Sequence, residues 1–72
     1  MTDSAALRQL VTERGLKLKY IAGRMNLSQY GLQRKIDNKS EFTVGEMLAF
    51  VDAVGGMTDE QQKQIFFGNS VD

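Results

Sequence analysis

Cysteine and histidine are both missing from this 72-residue chain. Their absence removes disulfides, thiolate nucleophiles, imidazole bases and the commonest zinc ligands together, so no metal and no cofactor is expected. No apolar run approaches the ~20 residues that cross a bilayer, and the chain does not open with a charged-then-apolar signal segment. The expectation is a cytoplasmic protein that meets no membrane. Ser28 and Ser40 have no histidine to activate them, Gly55-Gly56 has no following lysine to make a phosphate loop, and Asp59 and Glu60 are adjacent rather than convergent. No catalytic residue is therefore assigned, and neither enzyme activity nor a small-molecule substrate is expected.

A chain of this length makes one domain, near the lower limit at which an unaided core holds, with roughly 60% of the unfolded surface available for burial. The net charge of zero hides a division. Residues 1–40 carry eight basic side chains (Arg8, Arg14, Lys17, Lys19, Arg24, Arg34, Lys35, Lys39) against three acidic ones, a balance of +5. Residues 41–72 carry Lys63 alone against six acids, a balance of −5. A basic half beside an acidic half describes a face for polyanions with a repelled back.

The basic half contains the stretch that organises the rest, residues 18–38. Leu18, Ile21, Ala22 and Met25 fall at i, i+3, i+4 and i+7, the apolar stripe of a short helix. Asn26 tolerates the left-handed backbone that ends such a helix, and Ser28 can cap a second one that turns Leu32 and Ile36 inward. Leu27 and Leu32 form a hydrophobic staple that sets the angle at which the second helix leaves the turn. Two helices joined in this way over residues 18–37 form a helix-turn-helix.

On Gly15-Leu16, Ile21-Ala22, Met25, Leu27-Ser28, Leu32 and Asn38-Lys39, the chain resembles the lambda-repressor-like family, the Cro and CI (XRE) type of phage and bacterial regulators, over roughly residues 5–67. It departs from the family's pattern at Lys17, where a Ser or Thr cap is usual, at Asn26, where glycine is usual, and at Lys35, where an aliphatic residue is usual. The apolar anchor moves to Ile36. The resemblance implies an all-α, compact five-helix domain spanning 1–72, with the first motif helix lying across a DNA backbone and the second in the major groove. Lys17, Lys19 and Tyr20 then become phosphate contacts, as do Ser28, Asn38 and Lys39 around the second helix. It places such a protein in the cytoplasm, on the nucleoid of a bacterial host.

With Leu32 and Ile36 inward at 100° per residue, Tyr30 and Arg34 point away from the core, Gln33 lies on a flank, and Gln29 sits in the first turn. These four are the expected base readers. Gln can bond adenine N6 and N7, Arg can bond guanine O6 and N7, and Tyr offers a hydroxyl or a ring for a thymine methyl. Gly31 costs this helix about 1 kcal/mol relative to alanine. Either a close approach of its backbone, to the first motif helix or to DNA, compensates for that, or the glycine is simply tolerated. Asp37, also outward, belongs near the far end, away from phosphates.

Elsewhere, Asp3 or Ser4 starts a first helix with Leu7, Leu10 and Val11 inward, ended by Gly15-Leu16. Thr43-Val-Gly-Glu46 is a capping box stapled by Phe42 and Met47, and it opens a helix whose expected inward face is Val44, Met47, Leu48, Val51 and Val54. A second box, Thr58-Asp-Glu-Gln61, opens a last helix ending in Ile65-Phe66-Phe67, and residues 69–72 are expected to fray. Three large apolar side chains in a row cannot all face one small core. Phe50, Phe66 and Phe67 are accordingly assigned to the interface of a homodimer, which also doubles the DNA contacts.

These readings combine into a sequence-specific regulator of transcription, most plausibly a repressor, that binds double-stranded DNA as a homodimer. The alternative is an adaptor or inhibitor of the same architecture that binds protein through its acidic half and no longer reads bases.

Overall fold

Short helices depend on their ends, because a helix below ~12–15 residues is marginal alone in water. All five helices among the described residues are of seven to ten residues. The computed structural model describes residues 1–68, and the expected fraying of residues 69–72 lies outside them. In order, the helices are α1 (Ser4–Glu13), α2 (Leu18–Arg24), α3 (Gln29–Ile36), α4 (Val44–Ala53) and α5 (Asp59–Phe67), with no strand among the described residues.

The Asp3 carboxylate caps α1 by accepting from the Ala6 N–H, and the Ser28 hydroxyl caps α3 by accepting from the Gly31 N–H at 2.9 Å. The boxes of Thr43 with Glu46 and of Thr58 with Gln61 are both closed in each direction at 2.9–3.1 Å. Only α2 starts without a side-chain cap, at Lys17.

The C-terminal ends share one device. At Gly15, Asn26, Asn38 and Gly55 the backbone turns to positive φ (68°, 61°, 63° and 88°), ending α1, α2, α3 and α4 in turn. In each case the next N–H reaches back to the carbonyl five residues earlier: Leu16 to Val11, Leu27 to Ala22, Lys39 to Arg34 and Gly56 to Val51, at 2.8–3.1 Å. These are Schellman endings, which satisfy carbonyls that a helix end otherwise leaves orphaned. The end of α4 gains a further partner, for the Arg14 guanidinium donates to the carbonyls of Val54 and Gly56.

The core gathers Leu7, Leu10 and Val11 of α1, Ile21 and Ala22 of α2, Leu32 and Ile36 of α3, and Ile65 and Phe66 of α5 around Phe50. Phe42, Phe50 and Phe66 meet edge to face in a closed triangle, with ring centroids 5.4–6.4 Å apart. Such pairs add about 0.5–1.5 kcal/mol each beyond the area they bury.

This triangle corrects two expectations. Phe50 and Phe66 are 0% and 3% exposed, so neither belongs to an interface with a second copy; of the three phenylalanines so assigned, only Phe67 reaches the surface, at 48%. The inward face of α4 is also rolled from the expected one: Phe50, Ala53 and Val54 are buried with Met47 against them, while Val44 and Leu48 lie outside. Seven of the ten residues of α4 are apolar, so spacing alone does not choose a face, and the bulk of Phe50 does.

The chain before α1 ties the bundle together. The Thr2 N–H donates to Asn38 Oδ1 and Asn38 Nδ2 donates back to the Thr2 carbonyl, both at 2.9 Å. The Asp3 N–H donates to the Ile65 carbonyl at 2.7 Å, and the Ser4 hydroxyl donates to the Ile36 carbonyl. The two left-handed asparagines therefore differ in kind. Replacing Asn26 by Gly should leave stability within about 0.5 kcal/mol of the parent and replacing it by Ala should cost about 1 kcal/mol. Asn38→Gly keeps the turn but loses the clasp on Thr2, and should cost about 1–2 kcal/mol. Denaturant melts of the three variants check this; equal behaviour of Asn26→Gly and Asn38→Gly would remove the distinction.

Candidate nucleic-acid interface

Because Leu32 and Ile36 are fully buried one turn apart, the opposite side of α3 is presented to solvent. Tyr30 is 68% exposed, Gln29 and Arg34 are exposed, and Gln33 is half-buried on the flank. The Arg34 guanidinium lies 6.0 Å from the centre of the Tyr30 ring and its other edge reaches the Lys39 carbonyl at 3.4 Å. One turn of α3 thus carries a stacked arginine and tyrosine side by side, with the exposed side chain of Lys39 just beyond the helix end.

On α2, Lys17, Lys19 and Tyr20 line a shallow groove of about 660 Å³ with Leu16, Gly23 and Arg24. Arg24 donates to the Tyr20 hydroxyl at 3.2 Å, an i, i+4 pair legible in the spacing, and bridges to Asp52 at 3.2 Å. Lys17 and Lys19 are exposed, and neither is in an ion pair among the described residues. The Ser28 hydroxyl is occupied as the acceptor of the α3 cap and keeps its own O–H for donation. The Asn38 amide is engaged as well: its oxygen accepts from the Thr2 N–H and one of its two N–H groups donates to the Thr2 carbonyl, which leaves the other N–H for a further acceptor.

Gly31 does not approach α2. A Cβ built there would meet the Ser28 hydroxyl at 3.1 Å and nothing else. The glycine makes room for the cap of its own helix. Asp37 is neutralised in place by Arg8 at 3.1 Å, a half-exposed pair worth little to stability but one that removes a carboxylate charge from the end of α3.

Lys35 stands beside Ile36 at the edge of the core, which is why this position departs from an aliphatic pattern without opening a hole. Its stem is largely covered, while its ammonium reaches Glu46 at 3.0 Å and the Glu41 carbonyl at 3.1 Å. This bridge joins α3 to the first turn of α4. The Glu46 carboxyl is held below the ordinary glutamate range chiefly by the Thr43 N–H, with Lys35 adding to the effect and partial burial opposing it.

Compared with protein-family models, curated proteins and solved structures, the chain matches none.

The Glu46 carboxyl titrates lower folded than unfolded, so the stability it contributes is fully present above the unfolded value of about 4.3 and is lost as pH falls through the folded value. Glu46→Gln keeps the capping box, as Gln61 does in the box of α5, but loses the ion pair. The variant should lose less than about 1 kcal/mol at pH 7 and show a shallower fall in melting temperature below pH 4.5 than the parent. Parallel acid profiles would contradict this reading.

Proposed function

We propose that this chain is a lambda-repressor-like regulator of the Cro and CI type, in which α2 and α3 act as a helix-turn-helix on double-stranded DNA. In this reading α3 enters the major groove, where Gln29, Tyr30, Gln33 and Arg34 read base edges. Lys17, Lys19, Tyr20, Ser28, Asn38 and Lys39 meet phosphates, and two copies bind related half-sites to occlude a promoter.

One observation carries the reading. Of the eight cations in the basic half, four are engaged inside the fold: Arg8 on Asp37, Arg14 on the end of α4, Arg24 on Asp52 and Lys35 on Glu46. The other four, Lys17, Lys19, Arg34 and Lys39, have no carboxylate partner among the described residues, and all belong to the two helices and loop that the motif would use. Arg24 and Lys35 lie on the same two helices and are paired, so what sets this surface apart is the four cations that remain there without a carboxylate, a surplus suited to a polyanion. An adaptor working through its acidic half would have no use for that surplus.

Selection of bound sequences from a random duplex pool, followed by affinities at two salt concentrations, tests the reading. Arg34→Ala should cost about 1–3 kcal/mol on the selected sequence and relax preference at one base pair. Lys19→Ala should weaken binding to matched and mismatched duplexes alike and reduce the salt slope by about one. If the protein retains no duplex even at low salt, the proposal fails.

A further inference from the structure

Three ion pairs join separate parts of the chain among the described residues, and water reaches their acids to different degrees. The Glu46 side chain is 24% exposed and that of Asp37 48%, whereas Asp52 keeps 77% of its surface open. Glu46 also closes the capping box of α4, so its bridge to Lys35 is built into the fold. The bridge from Arg24 to Asp52 is the most readily exchanged of the three.

The stability of α2 and α4 does not account for that bridge. Arg24 lies in the last turn of α2, where the negative end of the helix dipole favours a cation with or without an acid nearby. Asp52 lies in the last turn of α4, where the same field disfavours an acid, and no basic residue in that turn offsets it. An ion pair this exposed contributes little to folding. What it does determine is where the Arg24 guanidinium points and whether its charge is cancelled.

The guanidinium stands beside the basic surface of α2. One of its terminal nitrogens donates to the Tyr20 hydroxyl and the other to Asp52 Oδ2, both at 3.2 Å. Arg24 and Tyr20 line one groove with Lys17 and Lys19, which have no carboxylate partner among the described residues. Gly23 leaves that groove open next to Arg24, since even a Cβ there would meet nothing within 4 Å. A guanidinium has five N–H groups and two are in use, so an anion in the groove finds donors on Arg24 that do not disturb Tyr20.

We propose that Arg24 is a further phosphate contact of this surface and that Asp52 holds it in reserve, competing with the polyanion for the guanidinium. That the polyanion is duplex DNA rests on the reading above; the competition for Arg24 does not. Backbone contacts are common to all sequences, so Asp52 lowers affinity for every duplex alike while the base contacts of α3 stay as they are. The acidic half thereby limits non-specific binding by the basic half.

The test compares Asp52→Asn with Glu60→Gln, which removes one acid from the exposed start of α5. Asp52→Asn should melt as the parent does, bind matched and mismatched duplexes roughly three- to tenfold more tightly at low salt, and steepen the salt slope by about one. Glu60→Gln should change affinity by less than about twofold and leave the slope alone. In an Arg24→Ala background the gain from Asp52→Asn should fall below about twofold. A gain no larger than that of Glu60→Gln, or one of the same size with and without Arg24, overturns the proposal. Elution from immobilised heparin separates the two claims. A protein that binds no duplex, yet elutes from heparin at higher salt after Asp52→Asn only when Arg24 is present, keeps the reserved contact and removes the DNA reading. Salt-sensitive duplex binding that Asp52→Asn leaves unchanged does the reverse, and retention on neither polyanion ends both.

Discussion

The roll of α3 about its own axis is the constraint on which the surface of this protein depends. Two side chains on one stripe, Leu32 and Ile36, are fully buried, and they decide which residues of an eight-residue helix face away from the core. The hydrophobic effect supplies about 1.5–3 kcal/mol for each such residue, and a rotation by one residue would exchange that gain for the burial of Gln33 and Asp37, or of Lys35. The roll is held from a second direction by the bridge from Lys35 to Glu46. A charged group at the margin of the core fixes orientation more sharply than another methyl would, since the ammonium must reach its carboxylate or lie uncompensated. Glu46 serves both the start of α4 and the roll of α3.

A bundle of helices this short gains little from each helix by itself, so its architecture resides in the joints. Four of them are the same Schellman turn, with glycine at two and asparagine at two, and each leaves the chain in a defined direction within three residues. Asparagine in the left-handed region costs more than glycine, and at position 38 the side chain offsets that cost by holding Thr2. The turn that ends α3 is thereby coupled to the first residues of the chain, which in turn bond α5 through Asp3 and Ile65. The outer face of α3 is thus braced by a segment remote in sequence.

Much of this is written locally and can be read without coordinates. Caps, boxes and left-handed turns depend on residues three to six apart, so four of the five helix starts follow from Asp3, Ser28, Thr43 and Thr58, and the stops of α1, α2 and α4 from Gly15, Asn26 and Gly55. The outward placement of Tyr30 and Arg34 was equally legible, since α3 carries few apolar residues and they lie on one stripe. Two kinds of feature were not. The clasp of Asn38 on Thr2 and the reach of Arg14 to Val54 join residues 36 and 40 positions apart, and no local pattern announces them. The roll of α4 was hidden for the opposite reason. Its apolar residues surround the helix, and the choice among faces falls to the fit of Phe50 between Phe42 and Phe66, a matter of shape that periodicity does not encode.

The misread roll of α4 has a physical consequence. Once Phe50, Ala53 and Val54 fill the core side with Met47 against it, Val44 and Leu48 add nothing to the interior, and folding alone would be served as well by polar residues there. Their exposure brings no gain in stability and raises the tendency to associate, in a chain whose net charge of zero offers no repulsion to oppose it. The cations left without a carboxylate partner among the described residues, Lys17, Lys19, Arg34 and Lys39, lie on or beside α2 and α3, so the basic and the exposed apolar parts of the surface are carried by different elements.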